Sequence, residues 1–249
     1  MELGFIVLIA VLFFLLATLN SSVGHAGASG YLAAMVLVGV PVDIMRPVAL
    51  TLNVVVASLT TTRFYRAGLL SWSDIWPFLV CSVPLAFVGG SIRLASEIYR
   101  PLLGALLLVS ASYLIWRSVV DPNQFAQGES EPQMVPELGV GGAVGFLSGL
   151  TGIGGGVLLS PIVLVMRWVG VRRASAMATA FILANSTAGL AGNIVSLDRL
   201  PAAIPVWAVA VLIGGYFGSE LGIRKLPPTY LVWLLAVVLF LAGIKFLCT

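Results

Sequence analysis

Gly145-Phe-Leu-Ser-Gly149-Leu-Thr-Gly152-Ile-Gly154-Gly155-Gly156, continued by Val157-Leu-Leu-Ser-Pro161, lies between two apolar runs of a chain that is 59% hydrophobic. A run of glycines bares backbone N–H groups, and the apolar segment behind it can begin a helix. Backbone left unpaired in lipid is costly, so a loop at that depth must be buried in protein or line a polar cavity. The stretch therefore predicts an interrupted membrane helix whose broken point can meet a small anion.

Composition agrees. Charged residues are 9% of the chain, against about 25% in soluble domains, and the mean hydropathy is +1.07. The predicted fold class is an all-α polytopic membrane protein. A net charge of +3 would suit nucleic acid in a soluble chain. Here the basic residues are scattered over short loops, which fits a membrane protein's cytoplasmic face, and no nucleic-acid partner is expected. Cys81 and Cys248 have no metal or disulfide spacing and read as small apolar residues. Residues 3–19 followed by Ala26-Gly27-Ala28 have the outline of a secretory signal. The leading segment carries Glu2 and no Lys or Arg, however, and a spanning helix is the preferred reading.

Apolar segments run at 3–22, 29–40, 47–65, 75–94 and 101–119, then at 138–153, 156–170, 174–196, 203–221 and 229–248. Most approach the roughly 20 residues of a spanning helix, while 29–40 and 156–170 read as half-helices. Residues 1–119 and 138–249 are taken as two transmembrane repeats joined by a polar, acidic linker at 120–137. The repeat rests on matches at a nearly constant offset: 152 − 24 = 128 for the glycines and 179 − 51 = 128 for the threonines. Duplicated halves with glycine-interrupted segments point to a transporter with its site where the repeats meet. Inverted repeats are favoured over parallel ones.

The candidate binding residues fall into two loops and the segments after them. The first loop is Gly24, His25, Ala26, Gly27, Ala28 and Ser29; the second holds Gly152, Gly154, Gly155 and Gly156. Three consecutive glycines cost about 1 kcal/mol each in a helix, which an anion nest of N–H groups explains, with a plain kink as the alternative. Gly141, Gly145 and Gly149, four apart, read as a helix-packing stripe. His25, the sole histidine, reads either as a substrate donor or carrier of a coupling proton, or as a neutral imidazole held by backbone. Asn53, Ser58, Thr179, Asn185 and Ser186 supply uncharged donors for the site or, equally, interhelical hydrogen bonds. The acids all lie at segment ends or in the linker, Glu220 being the deepest and four residues from Arg224. That pattern disfavours a metal-cation carrier or an intramembrane protease. No catalytic residue, metal ligand or cofactor is expected, and no GxxxxGK[ST] motif is present for nucleotide.

Gly149-Leu-Thr-Gly152-Ile-Gly154-Gly155-Gly156-Val-Leu-Leu-Ser-Pro161, with Ala176 and Thr179 on the next segment, resembles the sulfite exporter TauE/SafE family of bacterial membrane transporters. The resemblance implies seven or eight spans in two related halves and a cargo of sulfite, sulfoacetate or another sulfonate. The first half departs from the pattern: Gly24-His-Ala-Gly-Ala-Ser29 replaces the glycine run, and Ala33 stands where the second half has Pro161. The expected function is secondary transport of a small sulfur oxyanion across a bacterial plasma membrane by alternating access, as a monomer or homodimer. The alternatives are an anion channel and a non-transporting membrane assembly protein.

Overall fold

A computed structural model describes residues 2–119, 134–224 and 229–248. The helices are α1 (Leu3–Ser22), α2 (Ala28–Leu37), α3 (Val42–Arg66), α4 (Trp72–Ser91), α5 (Ser96–Val119), α6 (Met134–Thr151), α7 (Gly156–Val165), α8 (Val171–Gly192), α9 (Ile204–Arg224) and α10 (Thr229–Cys248), with a 3₁₀ turn at Ile194–Arg199. Among the described residues there is no strand. Among the described residues seven helices are long and apolar enough to cross a membrane. At 1.5 Å per residue a 20-residue helix covers the roughly 30 Å of a bilayer core. The 10-residue α2 and α7 cover half of it. The expected half-helices are therefore present. Of the linker expected at 120–137, residues 120–133 lie outside the described residues, and Met134–Glu137 form the first turn of α6.

Side-chain contacts fix the helix directions. Arg46, at the start of α3, donates to the carbonyls of Gly89, Gly90 and Ile92 at the end of α4, so these two helices are antiparallel. Arg63 near the end of α3 pairs with Glu220 near the end of α9, and Arg173 in the first turn of α8 pairs with Asp74 in the first turn of α4. Tyr99, at the start of α5, donates to Thr151 at the end of α6. Two glycine stripes bring backbones together. Gly141, Gly145 and Gly149 of α6 lie against Phe78, Ser82 and Ala86 of α4, while Gly214, Gly218 and Gly222 of α9 lie against Phe14, Thr18 and Ser22 of α1. Gly104 of α5 meets Gly243 of α10.

It follows that α1, α3, α5 and α9 run one way and α4, α6, α8 and α10 the other. Each spanning helix of the second set runs opposite to the helix at the same place in the first. The two ends of the bundle are named here for Arg46 and Arg173.

Candidate functional site

Both glycine loops are buried. Every residue from 20 to 36 and from 148 to 160 is buried, which covers the ends of α1 and α6, the loops and most of α2 and α7. Gly154 and Gly155 have φ of +85° and +77°, left-handed values that favour glycine, and Gly155 is the N-cap of α7. In the first loop Ala26 holds φ +51° despite its Cβ, a strained conformation.

Neither α2 nor α7 has a side-chain cap or an acid in its first turn. Among the described residues no acceptor meets the N–H groups of Gly154, Gly155, Gly156 and Val157, nor those of Ala26, Ala28, Ser29 and Gly30. A buried N–H left unpaired costs about 1–3 kcal/mol. Two such groups of donors, each at the positive end of a helix dipole, are anion-seeking positions.

Uncharged polar side chains surround the α7 terminus. Asn53 of α3 is fully buried and donates through Nδ2 to Ser186 Oγ on α8 at 3.2 Å. The same nitrogen lies against Gly154, where a methyl group would meet it at 2.5 Å. Ser148, the last-turn serine of α6, lies beside Gly155 with a buried hydroxyl that has no partner. Asn185 donates to Phe181 O at 2.8 Å and leaves Oδ1 unpartnered, and the Phe181 ring backs Gly155. Thr179 is buried nearby on α8, but its hydroxyl is bonded to Ala176 O at 2.8 Å in its own helix. The glycines thus also serve packing: a Cβ at Gly156 would strike Ile182 at 2.5 Å.

At the α2 terminus, Ser29 Oγ lies 3.3 Å from Asn20 Oδ1, and Tyr31 Oη donates to Ala26 O at 3.0 Å. Ser175 at the start of α8 donates to Val23 O and lies against Gly24. His25, 2% exposed, ties this loop to α7: Nε2 is 3.2 Å from Ser160 Oγ.

Ser58 stands apart from all of these. Its hydroxyl bonds Val54 O and it is exposed on the outside of α3. Five residues along a helix turn the side chain about 140° from Asn53, so the pair cannot share a face. Ser148, Ser160, Ser175 and Arg46 were not singled out as site residues by sequence. For Ser148 the offset carried a signal, since 148 − 128 = 20 makes it the counterpart of Asn20.

The family model for the sulfite exporter TauE/SafE matches residues 9–246. The chain belongs to that family. It is similar to a probable membrane transporter protein of Sinorhizobium fredii, with 37% identity over 96% of this chain and 97% of the relative. It is also similar to a probable membrane transporter protein of Methanocaldococcus jannaschii, with 28% identity over 76% of this chain and 74% of that relative. No solved structure gives a significant match. This TauE/SafE protein is a membrane transporter, and the buried donors described above lie on the two short helices that interrupt its spanning set.

Proposed function

We propose that this transporter moves a small sulfur oxyanion, sulfite or a sulfonate, across the bacterial plasma membrane by alternating access. The observation that carries the reading is the buried, uncapped N-terminus of α7, whose first N–H groups have no acceptor among the described residues. Asn53 and Ser148 add donors without adding charge, and Asn185 and Ser186 complete the surrounding shell. Such a site neutralises an anion by dipoles and hydrogen bonds, which allows release as well as binding. The α2 terminus, with Ser29 and His25, is the corresponding second position, and His25 carries the coupling proton.

The opposed helix directions support an inverted repeat, the arrangement in which two access states interchange by symmetry. The moving bodies are not the sequence halves, because the glycine stripes bind α9 to α1 and α4 to α6.

A thermal-shift screen of detergent-purified protein against sulfite, thiosulfate, sulfate, sulfoacetate, taurine, phosphate and acetate tests the reading. Selective stabilisation by a sulfur oxyanion is expected, about 2.7 kcal/mol at a hundredfold excess over Kd. Saturable flux of the same anion in proteoliposomes is expected of a carrier. Stabilisation by none of these anions, together with absent flux, overturns the proposal.

A further inference from the structure

A separate polar cavity opens at the Arg46 end. Its volume is about 160 Å³, room for a small oxyanion with part of its hydration shell. Three guanidinium groups line it, from Arg46, Arg93 and Arg199, against one carboxylate, Asp43, so its lining carries 3 − 1 = +2. Among the described residues one ion pair lies within it, and it is weak: Arg199 and Asp43 are 3.9 Å apart and more than half exposed.

Two of its residues hold the glycine loop before α7. Arg46 is 8% exposed and lies against Gly152, and Tyr99 Oη donates to Thr151 O at 2.9 Å. The terminal nitrogens of Arg46 are fixed on the carbonyls that end α4, while its buried Nε has no hydrogen-bond partner. Among the described residues no arginine lies against the other loop, although Tyr31 Oη likewise donates to its Ala26 O. Ser175 takes the place of Arg46 against Gly24, and the acids Asp74 and Glu137 lie at that end with Arg173.

The helix directions also assign the two faces. Among the described residues Arg63, Arg66, Arg117, Arg167, Arg172, Arg173 and Arg224 lie toward the Arg173 end, and Arg46, Arg93, Arg100, Arg199 and Lys245 toward the other. The excess of cations marks the Arg173 end as cytoplasmic. We infer that the Arg46 cavity is a vestibule on the non-cytoplasmic face that gathers small oxyanions and passes them to the glycine loop of α7. A cleft with one sign of charge raises the local concentration of the opposite ion. The inference deepens the anion-carrier reading and rests on it.

The test uses Ser96→Cys, an exposed position lining the cavity, in full-length protein carrying Cys81→Ser and Cys248→Ser. Two membrane-impermeant thiol reagents, one a sulfonate and one a quaternary ammonium, are applied to right-side-out vesicles. The expected result is labelling from outside, with an anionic-to-cationic rate ratio at least about tenfold above that of the same protein with R93Q and R199Q. Millimolar sulfoacetate, an oxyanion that does not consume the thiol reagents, is expected to slow the anionic labelling in phosphatidylcholine nanodiscs. Labelling from the cytoplasmic face alone, an unchanged rate ratio, or no protection by sulfoacetate overturns the vestibule. Protection by added phosphatidylglycerol without protection by sulfoacetate also overturns it, assigning the guanidinium groups to a lipid headgroup. Sulfite and sulfoacetate flux of the Cys-free protein is measured alongside. Flux without the labelling pattern removes the vestibule and leaves the carrier; the labelling pattern without flux of any sulfur anion removes the carrier reading.

Discussion

At the scale of single residues, the side chains around the proposed α7 site carry no charge. Asn53→Asp places a carboxylate against Gly154, where it occupies the unpaired N–H donors as a resident anion. The variant is expected to fold and to lose the thermal shift with sulfite, which the same anion screen reads directly. His25 is placed for a different task. It bridges the first loop to Ser160 on α7 and so links the two short helices. His25→Gln is expected to flatten the pH profile of transport between pH 5 and 8, measured with an alkylsulfonate whose own charge is constant over that range. Ser58, exposed and bonded within α3, gives the contrast: Ser58→Ala is expected to leave KM and flux unchanged.

At the scale of elements, the glycine stripes decide which helices pack closely together. A Cβ at Gly149 would lie 2.0 Å from the Ala86 carbonyl, whereas one at Gly139 on the same helix meets nothing within 4 Å. Gly149→Leu must push α6 from α4 and is expected to cost about 1–3 kcal/mol or more. Gly139→Ala is expected to be neutral or slightly stabilising, by the higher helix propensity of alanine. Apparent Tm in detergent separates the two. The four-residue spacing that makes this stripe was legible in the sequence, but its partner was not. The sequence offset matches segments at like places in the two halves, while packing sets α6 on α4 and α1 on α9, a choice made by surface fit between distant segments.

At the scale of the whole molecule, the helix directions put the starts of α1, α3, α5 and α9 at one end together with the ends of α4, α6, α8 and α10. Alkaline phosphatase fused after Cys248, at the Arg46 end, is expected to be active. A fusion after Val119, at the Arg173 end, is expected to be inactive. Equal activity at both positions would refute the helix directions. The sequence favoured inverted repeats without fixing any helix direction. The ion pairs Arg63–Glu220 and Arg173–Asp74 fix the directions by joining the ends of distant helices.

What this sequence determined by itself is what depends on local chemistry: the apolar segments, the half-length of α2 and α7, the glycine-broken points between them, and the residue types of the loop site. Asn53 could be named from its polarity inside an apolar run. The side it faces could not, and Ser58 was grouped with it although the two lie about 140° apart on α3. Arg46, read as a loop cation, is buried on the end of α4, and with Arg93 and Arg199 it forms a cavity from segments more than a hundred residues apart. Those choices belong to the tertiary structure, because charge and hydrogen-bond partners brought together by packing leave no periodic mark on the chain.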